Sequence, residues 1–116
     1  MSLEASLSTL LGSLVGGRVY PDVTPESAPL PLIVYQQVGG TAYEYADNTL
    51  PGEDNARMQV VVWSKARLEA TTIARQARSI IVGNLSAQTI GAPVSLYDSD
   101  MKLYGSRTEF GIFYTP

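Results

Sequence analysis

Residues 56–85, ARMQVVVWSKARLEATTIARQARSIIVGNL, decide the fold, because the hydrophobic period changes partway along one unbroken stretch. From Met58 to Trp63 the residues are β-branched, aromatic or alternating, which predicts a strand. From Lys65 onward Ala66, Ala70, Ile73, Ala77, Ile80 and Ile81 recur at helical spacing. Ser64, at the junction, suits an N-cap. The helix's apolar stripe begins with small residues, so it can approach a sheet closely. A chain of 116 residues is long enough for one core, and the reading is a single domain over 1–116.

Upstream, Leu3, Leu7, Leu10, Leu11 and Leu14 fall at i, i+4, i+7, i+8 and i+11, one stripe of a helix that Ser2 can cap and Gly16 and Gly17 can end. This segment lacks a basic residue before Arg18 and a continuous apolar run, so it reads as a helix over the core and not as a leader or a membrane-surface helix. Val19 to Pro31 holds four prolines and reads as an extended connector. Leu32 to Val38 is a strand stopped by Gly39 and Gly40. Two further strands are expected at Val94–Tyr97 and Leu103–Thr115, joined by a turn at Asp98, Ser99 and Asp100. The result is an α+β fold, a predominantly antiparallel sheet of about four strands with two helices in the order α-β-β-α-β-β.

Composition excludes much chemistry. The chain has no cysteine and no histidine, which removes thiol nucleophiles, thiolate metal sites and the usual general base near neutral pH. It shows no Walker or Rossmann glycine pattern and no metalloprotease motif, so neither a catalytic residue, a cofactor nor a metal site is expected. A net charge of -3 argues against binding nucleic acid through a general basic surface. Only 16% of residues are charged, against roughly 25% in ordinary soluble domains, which suggests surface hidden in contacts between subunits. No apolar run reaches the ~18 residues of a membrane span, and the expectation is a soluble protein made inside the cell, with no membrane partner.

Three groups of residues are candidates for contact. The stretch 40–55 reads as a long mobile loop whose Glu44, Asp47, Glu53 and Asp54 have no basic neighbour, suited to subunit contact or to lining a channel with negative charge. Arg67, Arg75 and Arg78 share one side of the long helix and form a basic stripe, read first as a solvated helix face with Glu69 nearby and otherwise as a surface for an acidic partner. Sorting the strands by alternation places Leu32, Val34, Val38, Met58, Val60, Val62, Val94, Leu96, Phe110, Ile112 and Tyr114 on a core face. The opposite face then carries Ile33, Tyr35, Val61, Trp63, Tyr97 and Phe113 among polar residues, too aromatic to be simply solvated. Either the N-terminal helix covers it or another subunit does, and in the second case Tyr35, Val61, Trp63, Tyr97 and Phe113 are the interface.

The motif order APLPLIVY (Ala28–Tyr35), RMQVVVWS (Arg57–Ser64) entering an Ala-rich helix, LYD (Leu96–Asp98) and EFGIFY (Glu109–Tyr114), behind an amphipathic N-terminal helix, resembles the small tail completion proteins of tailed phages and prophages. These are also described as tail terminator or head-tail joining proteins. The resemblance implies a virion structural protein, made in the host bacterial cytoplasm, that caps the head-proximal end of the tail tube as a ring, expected to be a hexamer. It implies the tail-tube protein and the head-tail connector protein as partners, with DNA passing through unbound. The alternative is a monomeric intracellular binding or regulatory domain that meets its ligand through the acidic loop or the arginine stripe.

Overall fold

The computed structural model describes residues 2–47, 49–50 and 52–116. The elements run α1 (Leu3–Gly12), β1 (Val19–Pro21), β2 (Leu32–Gln37), β3 (Asp54–Ser64), α2 (Arg67–Leu85), β4 (Gln88–Asp98) and β5 (Leu103–Tyr114). The α+β class and the two helices are as the sequence implies, but the sheet has five strands, in the order β1-β2-β3-β5-β4. All pairs are antiparallel except β1 with β2. β4 therefore runs in the same direction as β3, two places away, and β5 returns between them. This is a β-α-β crossover split by an inserted strand.

Local chemistry explains most boundaries. The Ser2 hydroxyl accepts from the Ala5 amide at 3.1 Å and caps α1. The helix ends earlier than the glycine pair, at Gly12, and a further turn closes where the Gly17 amide donates to the Gly12 carbonyl at 2.8 Å. At the other helix Ser64 does not itself cap. The first half-in residue is Ala66, which makes no side-chain cap. Ser64, fully buried, accepts from the Ala66 amide and donates to the Glu69 carboxylate, holding the strand-to-helix corner from two residues upstream. At the turn before β5, both Asp100 and Met101 amides donate to Asp98 Oδ1, the side-chain-to-backbone pattern for which Asp is favoured in turns.

Two strands extend beyond their sequence signals. The proline-rich connector contributes β1, a three-residue edge strand whose Val19, Tyr20 and Pro21 lie beside Ile33, Val34 and Tyr35. Proline is tolerated there because an edge strand can leave one side unpaired. β4 begins at Gln88 and not at Val94, and Gly91 to Pro93 form a bulge between Ile90 and Val94 instead of ending the strand.

The phase of β2 needs the largest correction. Leu32 lies opposite Trp63, Ile33 opposite Val62 and Tyr35 opposite Val60, so odd residues of β2 share a face with even residues of β3. Ile33 and Tyr35 thus enter the core, while Leu32 and Val34 point to the other side, and a shift of one residue exchanges every side chain between faces. Val94 and Leu96, registered on Arg107 and Gly105, also leave the core face, and Tyr97 joins it opposite Tyr104. The core gathers Leu3, Leu7 and Leu11 of α1, Ile73, Ala77 and Ile81 of α2, and Ile33, Tyr35, Met58, Val60, Val62, Phe110 and Ile112 of the sheet. Both helices therefore pack on one face of the sheet. Burial raises the Tyr35 phenol above its ordinary value, with smaller contributions from Glu4 and Asp22.

Candidate functional site

The face without helices is built in rows across the strands. Leu32, Trp63, Gly105 and Leu96 form one row, and Val34, Val61, Arg107 and Val94 the next. Leu32 and Val61 are buried yet stand outside the core cluster, so this is a second, smaller apolar patch. Trp63 is half-buried, and neither helix covers it. Its ring lies over Gly105, where an added Cβ would come within 2.8 Å of the indole. A glycine inside a strand commonly marks such a close approach. Gly105→Val should push the ring off the sheet and destabilise the fold by about 1–3 kcal/mol. Because Trp63 is the chain's single tryptophan, a red shift of the folded protein's emission together with a lower urea midpoint checks this.

Farther along, the face becomes polar. Gln59 and Glu109 are opposite one another, and Arg57 Nε donates to Glu109 Oε1 at 2.9 Å. The hydrogen bond from Arg57 holds the Glu109 carboxyl below its ordinary value. The pair is solvent-exposed, so it orders side chains more than it stabilises the fold. Of the five interface candidates, Val61, Trp63 and Phe113 lie on this face. Tyr35 is core, and Tyr97 stacks against Tyr104 at 5.0 Å on the helix side. The surface is therefore less aromatic than alternation alone suggests.

The loop between β2 and β3 starts as a continuation of the ladder, with Val38 and Arg57 amides donating to Arg57 and Gly39 carbonyls respectively. The Thr41 amide donates to Asn55 Oδ1 at 2.8 Å. Beyond that base Tyr43 meets Phe113 with ring centroids 6.2 Å apart, which lays the loop over the face without helices. The tip is closed by the Tyr45 amide on the Thr49 carbonyl. The loop enters β3 at the end of the sheet where Asp54 pairs with Tyr114. Glu44, Asp47, Glu53 and Asp54 are all exposed, as are Tyr45 and Leu50.

Asp47 Oδ1 accepts from both the hydroxyl and the amide of Thr49, and the hydroxyl bond above all lowers its pKa. The sign follows directly. A depressed carboxylate supports this turn fully above the ordinary carboxylate range, and the support is lost as pH falls through the lowered value. Thr49→Val should move the Asp47 titration back up toward the ordinary range, as followed by carboxyl-carbon NMR.

The arginine stripe does not hold as a unit. Arg67 Nη1 donates to the Gly105 carbonyl at 2.5 Å and Nη2 to the Leu96 carbonyl at 2.7 Å, and its guanidinium sits 5.2 Å from the Tyr104 ring centre. It ties α2 to β4 and β5. Arg75 and Arg78 are exposed, with no carboxylate at ion-pair distance among the described residues. They border a groove of about 840 Å³ between α2 and β4, lined also by Ala74, Val82, Ala87 and Pro93. The groove was not legible in the sequence, since it depends on β4 starting early at Gln88 and on its bulge. Among the described residues no cluster of three acidic side chains is placed to hold a metal ion, and no helix is long and apolar enough to cross a membrane.

The described surface thus offers an apolar sheet patch, an exposed acidic loop and a groove bordered by arginines. Comparison with known proteins gives the class. The sequence profile of the tail completion protein gp17 family matches residues 4–115. The chain belongs to that family. Membership makes it a tail structural protein of bacteriophage type, as the motif order implies. Among solved structures, a chain from the "Virion of native gene transfer agent (GTA) particle" is similar at a TM-score of 0.66 and 16% identity, over 99% of this chain and 96% of that one. At that identity the likeness is one of fold, and it spans almost the whole chain. No curated protein sequence matches.

Proposed function

We propose that this tail completion protein acts by assembly, as a ring at the head-proximal end of a phage tail tube, ending tube growth and presenting a surface to the head connector. The observation that carries this is the family match across residues 4–115. The surface supports it: the sheet face bare of helices leaves Val94 and Phe113 exposed and Trp63 half-buried, and the loop exposes Tyr45 and Leu50. Six copies are the stoichiometry the proposal adopts, with the tail-tube protein and the connector as neighbours and the virion as the location. The net charge of -3 suits a channel through which DNA slides without being held.

Trp63 is the first choice of anchor on the bare face, because large aromatics that can be fully desolvated dominate interface energetics. Purified protein at rising concentration, alone and with tail-tube ends, should give rings by negative-stain microscopy and a blue shift of tryptophan emission. A species that stays monomeric at every concentration and never decorates tube ends would rule the proposal out.

A further inference from the structure

The loop and the groove have complementary chemistry and lie against opposite faces of the sheet. The loop tip carries Glu44 and Asp47 beside exposed Tyr45 and Leu50. The groove carries Arg75 and Arg78 above an apolar floor of Ala74, Val82, Ala87 and Pro93. Tyr43 on Phe113 commits the loop to the face without helices, whereas the groove opens beside α2 on the opposite side of the sheet. The sheet stands between them.

We propose that the loop of one copy docks into the α2–β4 groove of a second copy, with Glu44 and Asp47 meeting Arg75 and Arg78. This rests on the assembly reading above and specifies its contact. The occupant is a second copy because the same chain supplies both complements. The groove's cations have no internal partner among the described residues, and the loop's stretch 41–55 contains four carboxylates and no basic residue. The volume, about 840 Å³, takes an aromatic side chain with its flanking backbone. Two different patches in contact make a head-to-tail interface, the kind that closes into a ring when the rotation between copies allows it. On this account the exposed Glu44 and Asp47 of the loop are what the chain offers a neighbour.

Charge reversal on each side tests the pairing. The Arg75→Glu/Arg78→Glu chain and the Glu44→Arg/Asp47→Arg chain should each raise the association midpoint in sedimentation velocity by about tenfold or more. All four positions are exposed, and an unchanged thermal melt confirms each fold. An equimolar mixture of the two variants should regain assembly, since each chain then offers the other one matched contact of each polarity. The absence of native cysteine allows a second readout. Asp47→Cys chains mixed with Ser79→Cys chains should form a covalent dimer between unlike chains under mild oxidation, which either chain alone does not. Wild-type rings whose association is untouched by both reversals would overturn this contact and leave the ring standing. A wild type that never associates, even on tube ends, would remove both.

Discussion

Phe110→Ala is expected to lower stability by about 3–5 kcal/mol, the largest single loss available in this molecule. Phe110 is 1% exposed, lies opposite Met58 on the central strand pair and belongs to the core shared with Ile73, Ala77 and Ile81. Small residues of α2 bring its backbone close to the sheet, so few side chains nearby are large enough to fill the space the ring leaves. Packed cores relax only partly around such a cavity. Urea unfolding of the variant should show a lower midpoint with an unchanged slope. Phe110→Leu, which keeps most of the volume, should recover much of the loss, and similar midpoints for the two variants would contradict this account of the core.

Gly40→Val is expected to have the second largest effect, about 3 kcal/mol or more, and to act on the base of the loop. Gly40 has φ +145°, and a Cβ there would lie 2.2 Å from the Asn55 carbonyl oxygen. Backbone strain of this kind costs about 1–3 kcal/mol, and the clash with main chain adds to it because a carbonyl cannot swing aside like a side-chain tip. The chain must open where Thr41 reaches Asn55. Hydrogen exchange should speed up at Thr41 and Arg57 while α2 stays protected, and ring formation should fall even where the monomer still folds. Equal protection at the loop base in both proteins would count against the strained position.

How much of this was legible in the sequence depended on whether one face of an element was chemically distinct. The strand-to-helix stretch at residues 56–85 was plain, because Met58, Val60 and Val62 alternate with Arg57 and Gln59, and the helix repeats small apolar residues on one side only. β2 was identified as a strand but assigned to the wrong phase. Leu32, Ile33, Val34 and Tyr35 are all apolar, so no alternation exists to choose a face, and only pairing with β3 settles it. β1 and the first half of β4 were hidden by Pro21 and by Gly91 to Pro93, residues that usually break strands and here sit at an edge and in a bulge.

The candidate contacts divided along the same line. Glu44, Asp47, Glu53 and Asp54 were visible as a run of unbalanced charge, and the structure leaves them exposed. Arg67, Arg75 and Arg78 looked equivalent because helical spacing sees only their own element. What separates Arg67 from the others is a pair of carbonyls on β4 and β5, at Leu96 and Gly105, far away in the chain. The groove beside Arg75 and Arg78 belongs to two elements at once, and no local pattern can announce it.

The placement of β5 between β3 and β4 also governs when the molecule comes into being. Its central pair joins Gln59 to Glu109, with all of α2 and β4 intervening, so the partner strand is made after both. Closing such a distant pair is slow in comparison with local helix formation. Until it closes, α2 lacks its most extensive packing partner in the sheet and β4 lacks the strand it pairs with. Groove and bare face alike are complete only once β5 is in place, so a chain whose β5 has not docked has neither surface with which to engage a copy too early.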